Sequence, residues 1–317
     1  IHMYNRLNQA FRGEGMRIVN NILSDGELSE NDSGIKLIVR EKTVLDLSFL
    51  QLNNFKTDKD ENKDENKDGN NCKKYLISFG TEIFKKSRVR IINQAESLNI
   101  FNNCICEKEN ICEEPLFKQI INKLNINTTG RGYYWYMWKP YIIFKYLKQM
   151  NDGDILFYCD SGMIINNNNI TKDRFKYMFD LIKDTSSCPT GIITFITLGA
   201  KEERLEYMYN LVQAFKHFNV YENKDITHTQ QCQAGVSLFN KCDKSMEIVE
   251  KWFTTALTNP ELFVGDYRFC KMERMEQMNG FRDHRHDQAI WSILCKLNNV
   301  TILNHDKNPM YQAHARE

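Results

Sequence analysis

Hydrophobic residues from position 73 onward follow two alternating patterns. Short continuous apolar runs are typical of buried strands, and they occupy 73–80, 153–160, 191–198, 233–241 and 300–303. Between these runs, apolar residues recur at helical spacing. The helical pattern predicts helices over 85–99, 114–125, 140–150, 172–184, 201–218, 243–258 and 286–299. The alternation predicts an α/β domain whose mainly parallel sheet is covered by helices on both faces.

The pattern is interrupted before residue 73 by a polar segment. Residues 57–72 are dominated by Lys, Asp, Glu and Asn, and the sequence predicts a disordered charged linker there, because such a segment cannot bury apolar surface. Alternating Asp58, Asp60 and Asn62 do not form a calcium loop, since Lys63 stands where the turn needs glycine. We therefore expect a short N-terminal segment over 1–56 with strand-like runs, which could be the tail of an upstream domain. The main domain is expected over 73–317.

Composition narrows the class of protein. The net charge of +1 gives no field that would select nucleic acid or an anionic membrane. No apolar run reaches the roughly 20 residues of a membrane span, so we expect no transmembrane segment and a cytoplasmic location, in a host cell or a virion if the source is viral. Richness in Asn, Lys and Ile is typical of AT-rich genomes, including those of giant viruses. The ten cysteines are irregularly spaced and are predicted to be mostly free thiols; three of them, in 104–112, leave a thiolate metal site as an alternative.

One candidate site lies where the second predicted strand ends. Asp160 directly follows a buried run and precedes Ser161 and Gly162. Ligands of such sheets bind beyond the carboxyl ends of the strands, where a carboxylate can hold a divalent cation and Gly162 lets a bulky ligand approach. An Asp-Ser-Gly turn that merely ends a strand is the alternative.

The loop before that strand is aromatic. Tyr133, Trp135 and Trp138 can stack on a base or a sugar, or pack a helix against the core. Lys139 stands between Trp138 and a helix-starting proline, where it is either a solvated group or a cation aimed at phosphate.

A third feature is the ionisable stretch FRDHRHDQ at 281–288. Asp287 lies in the first turn of a predicted helix, where the helix dipole favours an anion. Its role is either this structural one or that of a catalytic carboxylate that faces a sugar acceptor. His284 and His286 are acceptor contacts, metal ligands or surface residues. Gln233, with neighbouring amides at a strand entrance, can bond sugar hydroxyls or be an ordinary loop residue.

Three motifs occur in the order that they have in a known family. The family is that of GT-A-like glycosyltransferases of bacteria and giant DNA viruses. The stretch at 131–162 resembles its pattern Gly-Tyr-Gly-Tyr-Trp-x-Trp-Lys-Pro-Tyr, followed by Gly-Asp-x-Leu-x-Tyr-x-Asp-x-Gly. The stretch at 75–102 resembles its first strand and helix, and the stretch at 281–296 resembles its His-Arg-x-Asp-Gln motif. The resemblance covers about 73–303 and implies a GT-A-like, Rossmann-type nucleotide-sugar-binding domain.

The resemblance also implies roles for particular residues. It implies Asp287 and Gln288 as catalytic, Asp160 as the ligand of Mn²⁺ or Mg²⁺, and Gln233, His284 and His286 as acceptor contacts. The implied donor contacts are Phe79, Gly80, Trp138, Lys139 and Gly162. The chain departs from the wider Asp-x-Asp pattern at Gly162, so either a second metal ligand comes from elsewhere, such as His305 or Asp306, or the dependence on a metal is weak. Tyr134 and Ala289 are two further departures.

The function expected from this resemblance is a hexosyltransferase. It would move a sugar from a nucleoside diphosphate donor, UDP first and GDP second, to a hydroxyl of a glycan or protein, with inversion or retention left open. A catalytically silent glycan-binding module is the alternative, and a nucleotidyltransferase is a weaker one, because no glycine-rich phosphate loop follows the first predicted strand.

Overall fold

The computed structural model describes residues 72–124 and 130–312, together with the backbone of three strands nearer the N-terminus. The chain divides into two compact units, residues 1–66 and 67–317. In the first unit, β1 (Glu27–Asn31), β2 (Gly34–Val39) and β3 (Thr43–Asp46) form an antiparallel sheet in that order. The strand-like runs predicted there are thus confirmed, whereas the predicted linker over 57–72 lies almost wholly outside the described residues.

The second unit is built on a six-stranded mixed sheet. Its strands are β4 (Lys74–Phe79), β5 (Asn103–Glu107), β6 (Ile155–Cys159), β8 (Ile192–Ile196), β9 (Cys232–Asn240) and β10 (Thr301–Leu303). They lie in the order β10-β8-β9-β6-β4-β5, and only β9 runs antiparallel to its neighbours. Two short strands, β7 (Met163–Ile165) and β11 (Met310–Gln312), pair beside it. The predicted α/β class with a mainly parallel sheet is confirmed.

Helices connect these strands. The longer ones are α1 (Lys85–Ser97), α2 (Pro115–Leu124), α4 (Trp138–Gln149), α5 (Asn169–Lys183), α9 (Asp243–Thr258) and α11 (Asp287–Leu297). The short helices, of four to six residues, are α3 (Gly132–Trp135), α6 (Glu206–Tyr209), α7 (Val212–His217), α8 (Lys224–Thr227) and α10 (Glu261–Val264). Short 3₁₀ turns occupy Glu82–Phe84, Glu109–Glu113, Lys201–Glu203 and His305–Lys307.

The central strands are apolar because both of their faces are covered. Every residue of β6 is buried, and Phe157 packs edge-on against Phe175 of α5 with ring centroids 5.0 Å apart. Asn168 caps α5 by accepting a hydrogen bond from the Thr171 amide. On the other face, Phe144 of α4 stacks on Phe253 of α9 at 5.0 Å. Helical layers therefore cover both faces of the sheet beneath its carboxyl edge.

The predicted continuous helix over 201–218 is wrong. The segment breaks into a 3₁₀ turn and the short helices α6 and α7, with Asn210 extended at φ −137° and ψ 144° between them. The break occurs because polar groups are drawn inward: Glu206 is fully buried, and the Asn210 amide donates to the Ala289 carbonyl at 2.9 Å. Strands β5, β7 and β11 are additional to the predicted set, being only three to five residues long.

Candidate active site

A cavity of about 430 Å³ opens at the carboxyl ends of β6 and β8. Because β9 runs the opposite way, its first residues, including Gln233, reach the same edge. The N-termini of α11 and α4 complete the walls, and they contribute Asp287 and Lys139. The cavity thus lies where an open α/β sheet binds its ligands.

The centre of this cavity is a buried ammonium shared by two carboxylates. The Nζ atom of Lys139 lies 2.8 Å from Oδ2 of Asp287 and 3.2 Å from Oδ1 of Asp160. The Lys139 and Asp287 side chains are 3% and 5% exposed, whereas that of Asp160 is 38% exposed. The Tyr158 hydroxyl also donates to Oδ1 of Asp160 at 2.7 Å. The Asp160 carboxylate is therefore held on one side and open to the cavity on the other.

Burial and charge oppose each other in this group. Burial raises the pKa of Asp287 to about 6, although Lys139 acts to lower it. For Lys139, burial alone would lower the pKa, but the carboxylates of Asp160 and Asp287 more than compensate and the net shift is upward. Lys139 is therefore a permanent cation, while Asp287 can change its protonation state near neutral pH.

A left-handed turn positions Lys139. Residues 132–136 all have positive φ, between 49° and 63°, a region that side chains other than glycine rarely adopt. The turn is fixed by a hydrogen bond from Nε1 of Trp138 to the Gly132 carbonyl at 3.2 Å and by stacking of Trp138 on Phe79 at 3.9 Å. Tyr136, at the end of the turn, lines the cavity with its ring centroid 5.4 Å from Nζ of Lys139. Strain at this turn thus accompanies the placement of a functional group.

A chain of amides links the cavity to a buried ion pair. Glu206 is 2.6 Å from Nζ of Lys296 and accepts a short hydrogen bond from the Ser292 hydroxyl. Since a carboxylate only accepts, Gln231 must direct its amide nitrogen to Glu206, at 3.0 Å. Its amide oxygen then accepts from Nε2 of Gln288, at 3.0 Å. Gln288 is thereby fixed with one orientation at the cavity wall.

The structure brings together six of the residues predicted for the site. Those lining the cavity are Asp287, Gln288, Lys139, Asp160, Gln233 and His286. Gln233 is also bonded through Nε2 to the Ile196 carbonyl at 2.8 Å, so its amide oxygen faces away from that bond.

The other predicted residues lie outside the cavity lining. Phe79 and Trp138 stack on each other in the core. A Cβ on Gly80 would lie 2.7 Å from Arg88, whereas one on Gly162 would meet nothing within 4 Å. His284 bonds the Leu262 carbonyl at 2.7 Å behind the cavity.

The two histidines are neutral. Burial lowers the pKa of His284 to about 3 and that of His286 to about 4. Nδ1 of His286 donates to the Phe263 carbonyl at 2.7 Å. Neither ring therefore supplies a titrating group near neutral pH.

Three further residues of the site are not signalled by the sequence pattern, and a fourth, Arg285, lies in the ionisable stretch but was given no predicted role. Gly235 lies against Asp160, since a Cβ there would be 2.8 Å from Oδ2. Arg204, Tyr209 and Arg285 line the cavity. Arg204 and Tyr209 fall in the segment predicted as one amphipathic helix, where a surface charge and an aromatic ring carry no functional signal. Only the density of charges around Arg285 could have drawn attention to it.

All ten cysteines are free thiols, in agreement with the prediction that most of them are free. Among the described residues, no three His, Cys, Asp or Glu side chains gather to hold a metal ion, so the three-thiolate site at 104–112 is not formed. Asp160 and His305 line the cavity, but Asp306 does not, and it lies 3.9 Å from Lys307. One carboxylate and one imidazole fit a cation such as Mg²⁺ or Mn²⁺ only if phosphate and water supply its other ligands.

Comparison with known proteins gives likeness at the level of structure. No family model and no curated protein matches the chain. It resembles apo mouse xyloside xylosyltransferase 1, with TM-score 0.38 and 14% identity over 73% of this chain and 84% of that one. It also resembles a glycosyltransferase involved in glycosylation of the major capsid of PBCV-1, with TM-score 0.33 and 14% identity over 59% and 69%. A third match is the apo-form glycosyltransferase GlyE of Streptococcus pneumoniae TIGR4, with TM-score 0.33 and 14% identity over 75% and 46%.

These three solved structures are all of glycosyltransferases. At 14% identity and TM-scores of 0.33 to 0.38 the likeness assigns no role to any residue, and the roles of individual residues must come from the geometry of this chain. Within the described part of the chain, no helix has the length and apolar character to cross a membrane.

Proposed function

We propose that the chain is a glycosyltransferase that moves a sugar from a nucleoside diphosphate donor to a hydroxyl of a glycan or protein. The observation that carries this proposal is the cavity at the carboxyl edge of the sheet, where Lys139 is shared between Asp160 and Asp287. Such a site offers a cation for a leaving diphosphate, a carboxylate for the reacting centre and amides for hydroxyl groups in one place.

The donor side of the site is assigned to Lys139 and Asp160. The open oxygen of Asp160, with His305, would hold Mn²⁺ or Mg²⁺, and a bound cation would neutralise charge on the leaving diphosphate. Lys139 would pair with a phosphate oxygen, which replaces part of its present contact with Asp160. UDP-sugars are the first expected donors and GDP-sugars the second. The remaining contacts proposed from the sequence, Phe79, Gly80, Trp138 and Gly162, would support the donor from outside the cavity lining.

The reacting centre is assigned to Asp287 and Gln288. If the reaction inverts the anomeric carbon, Asp287 is the general base that takes the proton of the acceptor hydroxyl. If it retains configuration, the same carboxylate stabilises the positive charge that develops on the sugar. The raised pKa of Asp287, about 6, suits a base that works at neutral pH. Gln288 and Gln233 would bond hydroxyls of the sugars, with His286 as a neutral neighbour and His284 supporting it from behind.

A thermal-shift panel of UDP, GDP, ADP and CDP, with and without Mn²⁺, tests the donor site. A ligand at 100 times its Kd stabilises the folded state by about 2.7 kcal/mol. We expect UDP or GDP with Mn²⁺ to raise the melting temperature of the wild type, and Asp160→Ala to abolish the shift. Asp152→Ala is the matched control, because Asp152 is 89% exposed and lies outside the cavity lining. If no nucleotide shifts the wild type, the transferase proposal is wrong.

The structure favours this function over a silent glycan-binding module. That alternative needs exposed aromatic rings as a sugar platform, but Trp135 and Trp138 are 2% and 4% exposed, which leaves only the half-buried Tyr133, Tyr134 and Tyr136 of this loop. Binding of sugars without any nucleotide effect would be the result in its favour.

A further inference from the structure

We propose that the Arg204–Tyr209–Arg285 cleft of the cavity binds the carboxylate or phosphate group of an acidic acceptor sugar. This inference rests on the proposed transferase function and specifies the chemical class of its acceptor.

Two guanidinium groups are held against one aromatic ring. The Cζ atoms of Arg204 and Arg285 lie 5.7 Å and 4.9 Å from the ring centroid of Tyr209. Tyr209 is only 6% exposed, and all three residues line the cavity. Two like charges placed on one ring repel each other, so the free protein holds an arrangement that an anion would relieve.

No protein carboxylate among the described residues forms an ion pair with Arg204 or Arg285. Asp283, close in sequence to Arg285, is bound by Arg131 at 3.0 Å and interacts with Arg285 only beyond ion-pair distance. The two carboxylates of the cavity, Asp160 and Asp287, are both taken by Lys139. The cleft therefore carries two positive charges that remain for a ligand.

The cleft is built rather than incidental. The backbone N–H of Arg204 donates to the Lys201 carbonyl, and the backbone carbonyl of Arg204 accepts from the backbone N–H of Gln231 at 3.0 Å. Its side chain lies on Gly199, where φ is +115° and a Cβ would come within 3.0 Å of the Arg204 Nε. That Nε is buried and has no hydrogen-bond partner. Arg285 is tied by its backbone N–H to the Tyr209 carbonyl at 3.1 Å.

The position of the cleft distinguishes it from the donor phosphates. Arg204 follows β8, and Asp160 follows β6, with β9 between these strands. Two strand spacings separate the ends of β6 and β8 by on the order of 10 Å, and Arg204 lies farther along the chain, after the turn Lys201–Glu203. Because Lys139 and Asp160 are assigned to the donor phosphates, we assign the cleft to a second acidic group, carried by the acceptor. Planar guanidinium forks suit carboxylate and phosphate alike.

Titration calorimetry on the full chain at low salt tests the proposal. The probes are methyl β-D-glucuronide, glucose 6-phosphate and neutral methyl β-D-glucoside, with UDP titrated separately. We expect both acidic sugars, or one of them, to bind at least about tenfold tighter than the glucoside, and the preference to weaken as salt is added. The acidic sugar that binds distinguishes a carboxylate from a phosphate site.

Arg204→Gln and Arg285→Gln should each reduce the acidic preference about tenfold. Arg282→Gln is the matched control, because Arg282 is exposed and lies outside the cavity lining. Urea unfolding midpoints within error of the wild type show that all three variants are folded, and UDP affinity should stay unchanged in the control Arg282→Gln. Equal binding of acidic and neutral sugars by the wild type, or an unchanged preference in both glutamine variants, would overturn the inference. If the wild type does not bind UDP, GDP is titrated next, and failure of both nucleotides to bind would refute the proposed donor site instead of the acidic cleft.

Discussion

Replacing Lys139 by methionine tests whether one buried ammonium holds the two carboxylates of the site. Methionine nearly keeps the volume and removes the charge. At separations of 2.8 and 3.2 Å, each attraction amounts to roughly 5–6 kcal/mol at an effective dielectric constant of about 20, before desolvation is subtracted. Asp160 is more than a third exposed, so water replaces most of its stabilisation. Breaking the buried pair with Asp287 should therefore dominate, at about 3–5 kcal/mol.

The loss should depend on pH, because Asp287 can take up a proton. Burial raises the pKa of Asp287 to about 6 while Lys139 lowers it, so removing Lys139 raises the pKa further. A folded state that binds more protons than the unfolded chain gains stability as pH falls. We expect the full loss of about 3–5 kcal/mol at pH 8, and roughly half of it or less at pH 5, where Asp287 is neutral.

Urea unfolding followed by tryptophan fluorescence measures this loss. All four tryptophans lie between positions 135 and 291, so the signal reports on the second unit. Lys176→Met is a control that should match the wild type, since Lys176 and its partner Asp180 are exposed. The double variant Lys139→Met with Asp287→Asn should be more stable than the single one at pH 8. An equal loss at pH 5 and pH 8 would refute the assignment of Asp287 as the buried charged partner.

Three further predictions concern the wall and the chemistry of the cavity. Glu206→Gln leaves Lys296 buried without its carboxylate and should cost about 3–5 kcal/mol in urea unfolding; a loss below 1 kcal/mol would contradict the buried pair. Gly132→Ala should lower the free energy of unfolding by at least about 1 kcal/mol, since φ is +63° and the new Cβ would lie 2.1 Å from the ring of Tyr136. Gly162→Ala should change the free energy of unfolding by no more than about 0.5 kcal/mol, because its new Cβ would meet nothing within 4 Å. The transfer rate should rise with pH through about 6 and then level off, as Asp287 ionises; a flat profile between pH 5 and 7 would exclude its role as a base.

The hydrophobic pattern was sufficient for the central strands and most longer helices. Strands β4, β6, β8 and β9 are buried on both faces, so their residues are apolar wherever the strand lies in the sheet. The pattern failed over 201–218, where apolar spacing is helical but the buried Glu206 and Asn210 are bonded to α11. Local periodicity reports which side of a segment is buried, and it does not report polar partners distant in the chain.

Some residues of the candidate site were likewise predictable from the sequence, and others were not. Asp160 and Asp287 were identifiable because each stands at the end or the start of a predicted element. Their common partner, Lys139, remained one of two interpretations until the structure placed its ammonium between them. Phe79 and Trp138 show the opposite case, since aromatic residues beside a strand end pack on each other instead of lining the cavity.

The sequence by itself thus determined the α/β class, the positions of the buried strands along the chain, and the two acidic residues at element boundaries, Asp160 and Asp287. These features depend on local spacing and burial. Tertiary structure alone decided that β9 runs backward and brings Gln231 to the carboxyl edge, where it meets Gln288, 57 residues away. It also placed Arg204 and Arg285 on one ring. The physical reason is that a hydrogen bond or an ion pair depends on distance in space, which the periodicity of a chain does not encode.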